Sequence, residues 1–221
     1  MNTLDLVGDG DEIELIQDVE KAFGIEFGDA ELNDLRNVGE LYDIVCKKID
    51  FDANSACLSA RAFRDFRDAF PASRVRPSTP IEDLRGDRSS DQDLCRVIGD
   101  RSGFDFNLTY WGNVVSWACF LTVLVPPVLA LLWAEVSGYG AAAWLLLWFA
   151  LPLFRFAPAH LPAEIATAGD LVRWSMGRNY PSLRETGGVG TRADVWLALC
   201  GVARDAACYN GLINRDTTFF P

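Results

Sequence analysis

A single histidine, His160, stands among the 221 residues, and the six cysteines (Cys46, Cys57, Cys95, Cys119, Cys200 and Cys208) contain no Cys-x-x-Cys pair. Too few ligands are available at the right spacing for a structural zinc site, so no metal is expected. Scattered cysteines in apolar, helical surroundings behave as small hydrophobes and fit a reducing compartment. No His-x-x-x-His, Glu-x-x-His or nucleophile-elbow motif occurs, and His160 has no serine or cysteine partner in view. Neither a catalytic residue nor an enzyme activity is therefore expected. The glycines of Glu185–Thr191 lack the spacing and strand context of a phosphate loop, and that stretch reads as a flexible linker. Met1–Gly10 is short and acidic, unlike a cleavable signal peptide.

What the chain does have is unevenly placed. Half of its residues are apolar, and Val114–Trp133 runs for twenty residues without a charge. That length suffices for a helix across a bilayer core of about 30 Å. Its eleven Leu, Val and Phe residues contribute roughly −3 to −7 kcal/mol to insertion. A second apolar run, Ala141–Phe154, reaches spanning length with Val136–Gly140 included and Arg155 turned to the surface. Pro126 and Pro127 kink the first span. The connector Ala134–Gly140 carries no Lys or Arg, whereas Arg96, Arg101, Arg155, Arg173 and Arg178 flank the pair. By the positive-inside rule both termini are expected in the cytoplasm, with two spans in a bacterial cytoplasmic membrane.

The net charge of −11 sits almost wholly at one end, since residues 1–50 hold 14 Asp and Glu against 4 Lys and Arg. Such a surface repels phosphates, so nucleic acid is excluded as a partner and a basic protein is expected. Asp11–Phe23 places Ile13, Ile16, Val19 and Phe23 at helical spacing among carboxylates. Asp29–Arg36 reads as a short helix, and Asn37–Ile49 as an Asn-capped one with Val38, Leu41, Val45 and Ile49 on one side. Further helices are expected at Ser89–Asp100 and at Cys57–Phe70, where Phe63, Phe66 and Phe70 pack on neighbours; the alternative, an Arg/Phe helix on anionic lipid, is weakened by Asp65 and Asp68. Between them runs a proline-marked connector with Thr79 or Ser78 placed to cap. Leu161–Met176 reads as a juxtamembrane helix with Trp174 and Arg173 at the interface; the competing reading, an internal repeat, makes Thr167 a cap. Arg192–Pro221 opens with a helix striped by Val195, Leu199, Val202 and Ala206.

The acidic helix, "FGIEF", a short acidic helix and then "NVGELYDIV" resemble, in order and spacing, helices two to four of the acyl carrier protein family. The resemblance covers Leu4–Ile49. Thr167-Ala168-Gly169-Asp170-Leu171 offers a second copy of the helix-four opening, either as an internal repeat or as the start of the interfacial helix. Counting back from Phe23, the carrier's attachment serine falls on Asp9, so covalent acyl carriage and a bound prosthetic group are not expected. The missing first helix is matched by Arg192–Pro221, whose "INRDTTFFP" reads into the N-terminal "LDLVGDG" as carrier sequence does. The implied arrangement is a circularly permuted carrier-like bundle with a membrane hairpin inserted; the alternative is an unrelated amphipathic tail.

The expected fold class is all-α, a two-helix transmembrane hairpin plus a small carrier-like helical bundle in the cytoplasm. Residues 1–50 would form carrier-like helices two to four, 51–110 a helical connector and 111–157 the hairpin. Residues 158–191 would form the juxtamembrane helix and linker, and 192–221 the C-terminal helix. The expected function is a membrane-anchored, non-catalytic interaction protein that presents Glu12, Glu14, Asp18 and Glu20 to a basic partner. The resemblance implies a partner among lipid or polyketide synthesis enzymes. One alternative is a carrier relative that binds acyl chains non-covalently or is modified at another residue. Another is a small membrane enzyme or transport accessory, for which Val114–Trp133 offers only Ser116, Cys119 and Thr122 as polar groups.

Overall fold

The computed structural model describes residues 2–6, 10–32, 35–51, 57–70, 75–86, 90–106, 110–111, 159–209 and 211–221. Over these residues the chain is all-α. Helices α1 (Asp11–Phe23), α2 (Asp29–Leu32), α3 (Val38–Lys48), α4 (Leu58–Asp68), α5 (Ile81–Arg85) and α6 (Asp91–Ser102) precede two short strands. Strand β1 (Tyr110–Trp111) pairs antiparallel with β2 (Ala159–His160), and α7 (Ala168–Gly187) and α8 (Arg192–Ala206) follow. No helix among the described residues is long and apolar enough to cross a membrane. The two apolar runs, Val114–Trp133 and Ala141–Phe154, lie outside the described residues. Their flanks are described: Tyr110 faces His160 and Trp111 faces Ala159, so the chain leaves and returns at one place.

Helix starts follow local chemistry. The Asn37 side chain accepts the Glu40 N–H at 2.9 Å, and Ser90 accepts the Asp93 N–H at 3.1 Å. Thr167 with Asp170, and Thr191 with Asp194, form reciprocal capping boxes. Gly24 and Gly103 end α1 and α6 in the left-handed region, at φ 55° and 74°. One contiguous core runs through the molecule, centred on Leu171, Met176, Tyr180 and Leu183 of α7 and Val195 and Leu199 of α8. Onto it α1 packs Phe23, whose ring lies 4.7 Å from that of Tyr180, while α8 also contacts α3. Each such fully buried large side chain contributes about 1.5–3 kcal/mol.

The chain ends are bonded to one another. The N–H of Leu4 donates to Thr218 (2.8 Å), that of Leu6 to Phe219 (3.0 Å) and that of Thr218 back to Asn2 (3.0 Å). The segment that follows α8 thus runs beside the one that precedes α1.

The same docking arrangement occurs twice. At the start of α3, the N–H groups of Val38 and Gly39 donate to the carbonyls of Thr217 and Arg215, and Asn37 bridges Thr218. At the start of α7, Ala168 and Gly169 donate to Thr79 and Pro77, and Thr167 bridges Pro80. Thr217 Oγ1 accepts the Asn214 N–H as Thr79 Oγ1 accepts that of Arg76. Both glycines are obligatory, because a Cβ would lie 2.7 Å from the Arg215 carbonyl or 2.9 Å from that of Pro77. Helices α1 and α6 end alike as well, on Gly24-Ile25-Glu26-Phe27 and Gly103-Phe104-Asp105-Phe106. By these correspondences α8, α1 and α3 form one unit and α4, α6 and α7 another, joined by packing of α1 and α8 on α7.

Several sequence expectations are corrected. Ile13 is 58 % exposed and Ile16 only half-buried, because α1 turns its other stripe (Leu15, Val19, Ala22 and Phe23) to the core. Neither Thr79 nor Ser78 caps α5: the Thr79 hydroxyl is used inside its own turn and Pro80 occupies the cap position. The helix read within Leu161–Met176 starts at Ala168, after the Thr167 cap, and continues through Glu185, Thr186 and Gly187, which the sequence assigns to the linker. Pro181 inside it forgoes the hydrogen bond to Gly177 without ending it. Trp174 has one face covered by Arg204, whose guanidinium carbon stands 4.0 Å from the ring centroid.

Candidate functional site

Beyond Phe23 the left-handed Gly24 reverses the chain, and the carbonyl of Phe23 accepts from the Arg184 guanidinium of α7. The turn is held by Glu20, whose Oε1 accepts the Phe27 N–H at 2.7 Å, and by Glu31, which accepts the Gly28 N–H at 2.8 Å. The Gly28 hydrogen bond, then Lys48 at 2.7 Å, hold the Glu31 carboxyl below its ordinary range. Phe27 is thereby laid across from Ile13 and Ile16, and Phe219 and Phe220 arrive from the other end of the chain. Between them is a cavity of about 440 Å³, within the range of small-molecule sites. Ile13 and Phe220 stand 58 % and 44 % exposed at its edge.

The four acids of α1 separate into two pairs. At about 100° per residue, Glu12 and Glu20 fall on one side of the helix and Glu14 and Asp18 on another. Glu12 and Glu20 line the cavity, and Glu20 is engaged by the Phe27 N–H. Glu12 Oε2 is buried without a hydrogen-bond partner. Glu14 and Asp18 are exposed, and neither forms an ion pair among the described residues. The single acidic face of the sequence reading is therefore corrected to two Glu14/Asp18 and Glu12/Glu20 faces with different surroundings. Asp9 lies outside the described residues.

Sequence reasoning missed the cavity because its walls come from Ile13 to Leu35 and from Phe219 and Phe220, residues at opposite ends of the chain. The available signal was the second apolar stripe of α1, Ile13 with Ile16, once Leu15 and Val19 are assigned to the core.

On the equivalent side of α6 the surface is polar. Asp93, Arg96 and Asp100 line a hollow that ends at Phe106, the counterpart of Phe27, and Arg96 pairs with Asp93 at 2.8 Å. Of the strongly displaced groups, none lines the α1 cavity. Burial pushes the Tyr180 hydroxyl up to about 12 and the Cys200 thiol up to about 11, and both lie in the core. Cys95 is also buried, while Cys57 and Cys208 are exposed, so only part of the set behaves as small hydrophobes. His160 is exposed on β2. Among the described residues no group of His, Cys, Asp and Glu could hold a metal ion.

Compared with known proteins, the chain matches no family, no curated protein and no solved structure.

Proposed function

We propose that the protein is a membrane-anchored, non-catalytic adaptor, a duplicated and permuted relative of acyl carriers that recruits a basic protein through α1. The observation that carries this reading is Glu14 and Asp18, side by side, exposed and unpaired among the described residues, on the most acidic part of the chain. Complementary charge steers such encounters and sets their partner choice. The pairing of Tyr110 with His160 supports an inserted hairpin, since a segment that leaves and returns together holds both flanks on one side. The apolar runs within residues 112–158 support two spans. A carrier-like origin is supported by the repeated helix-four openings at Asn37 and Thr167 and by the adjoining chain ends.

A basic partner copurified with the full chain is expected to be lost from a Glu14→Lys/Asp18→Lys variant and at about 0.5 M salt, where screening shortens the reach of exposed charges. Retention of the partner under both conditions would end the recruitment reading. Incubation with a phosphopantetheinyl transferase is expected to leave the intact mass unchanged, since Asp9 offers no hydroxyl for the phosphodiester. A gain of one prosthetic group would replace the adaptor with a working carrier. The α1 cavity favours a second reading, non-covalent binding of an aliphatic chain.

A further inference from the structure

The cavity beside α1 is apolar in its body and acidic at every charged point, with Gln17 as its one neutral polar side chain. Ile13, Ile16, Leu32 and Phe220 supply surface, while Glu12, Glu20 and Asp29 are its charged residues, and no Lys or Arg lines it. Lys48, 5.8 Å from the Phe27 ring centroid, is already bound to Glu31. Glu20 has given Oε1 to the Phe27 N–H, but Glu12 Oε2 is buried with no donor. A buried carboxylate oxygen in this state calls for a donor or a cation. A ligand that satisfies it must carry one.

The fold does not impose these walls. The equivalent side of α6 keeps the terminal phenylalanine, Phe106, but has Gln92 and Cys95 where α1 has Ile13 and Ile16, beside the charged Asp93, Arg96 and Asp100. Of two equivalent positions, only the one on α1 retains exposed large apolar side chains, Ile13 and Phe220. Leaving them in water disfavours the empty state and favours an aliphatic occupant.

We infer that the α1 cavity binds a single-tailed amphipath with a cationic head, its chain laid along Ile13, Ile16 and Phe220 and its ammonium group at Glu12. A free fatty carboxylate is disfavoured, because its head would meet three acids and no cation. The inference rests on the aliphatic-chain reading of this cavity and is independent of partner recruitment by Glu14 and Asp18.

The test uses the full chain with labelled Ile and Leu methyl groups, held in phosphatidylcholine nanodiscs, titrated with n-octylamine and separately with octanoate. Octylamine is expected to shift the Ile13, Ile16 and Leu32 methyl signals saturably, while octanoate leaves them in place at the same concentrations. Glu12→Gln and Ile13→Asp should each weaken octylamine binding at least tenfold, and Glu82→Gln, the same loss of charge on α5, should not change it. Octanoate binding as tightly as the amine, or octylamine binding indifferent to Glu12→Gln, would overturn the assignment. So would equal weakening by Glu82→Gln, or no saturable shift with either probe. No partner protein enters this titration, so its failure leaves the copurification result standing, and the reverse also holds.

Discussion

Replacing Asp194 with alanine is expected to destabilise the fold by about 3–5 kcal/mol, because several N–H donors lose their acceptor at once. For a chain of this size that corresponds to a midpoint lower by roughly 10 °C. Asp194 is fully buried at the N-terminus of α8, where it closes the capping box with Thr191. It also leaves its own helix: Oδ2 accepts the Leu58 N–H at 3.0 Å and Oδ1 the Ser59 N–H at 2.9 Å, which ties the start of α4 to the start of α8. Alanine would strand the Leu58, Ser59 and Thr191 N–H groups together, and each buried unsatisfied donor costs about 1–3 kcal/mol. Burial alone would raise the Asp194 carboxyl, but the hydrogen bonds from Thr191 and Ser59 outweigh it and hold it below its ordinary value of 3.8. A carboxylate depressed in the folded state contributes stability above the unfolded value, and that contribution is lost as pH falls through the folded value. Urea unfolding at neutral pH and again below pH 4 should show a stability difference that shrinks in Asp194→Asn. A loss under about 1 kcal/mol in Asp194→Ala would refute the role given to this residue.

The second large effect is expected where α7 and α8 cross. A Cβ on Gly201 would lie 2.6 Å from the Gly177 Cα and N, and one on Gly177 would lie 2.6 Å from the Gly201 backbone. No side chain can yield there, so even alanine must separate two helix axes that carry the centre of the core. Gly201→Ala is expected to cost about 1–3 kcal/mol, as overpacked sites do, and Gly201→Leu more. The double variant Gly177→Ala/Gly201→Ala should cost less than the sum of the two singles, because axes parted for one methyl leave room for the other. Unfolding curves of the three proteins decide it: neutral, additive effects would mean that the crossing is loose.

Features fixed within a few residues were legible in the sequence. Asn37 and Thr167 cap where expected, since a cap needs only its own side chain and an N–H three residues on. The inward stripe of α3 was legible because Val38, Leu41, Val45 and Ile49 recur at helical spacing, and all four are buried. For α1 two overlapping stripes compete, and the choice between Ile13 and Leu15 is made by α7 and α8, which pack on it from a distance in sequence. Asp194 reads as an ordinary cap residue until its partners Leu58 and Ser59, 136 and 135 residues away, are known. Gly177 and Gly201 carry no local signal, because what demands them is the crossing partner. The repeated docking arrangement was half legible: the two helix-four openings are visible, but Arg76–Pro80 and Asn214–Thr218 share only the threonine at Thr79 and Thr217, too little for the docking segments to be recognised before their hydrogen bonds are seen.

The adjoining chain ends constrain how the molecule can be made. Asn2, whose carbonyl accepts the Thr218 N–H, is 216 residues from it in sequence. A ribosome releases residues at about 5–20 per second, so α1 and α3 wait at least several seconds for α8. During that interval the apolar side that α8 will cover is open to solvent. The α8–α1–α3 unit therefore closes only once α8 has emerged, whereas α4, α6 and α7 have their shared partners in hand earlier.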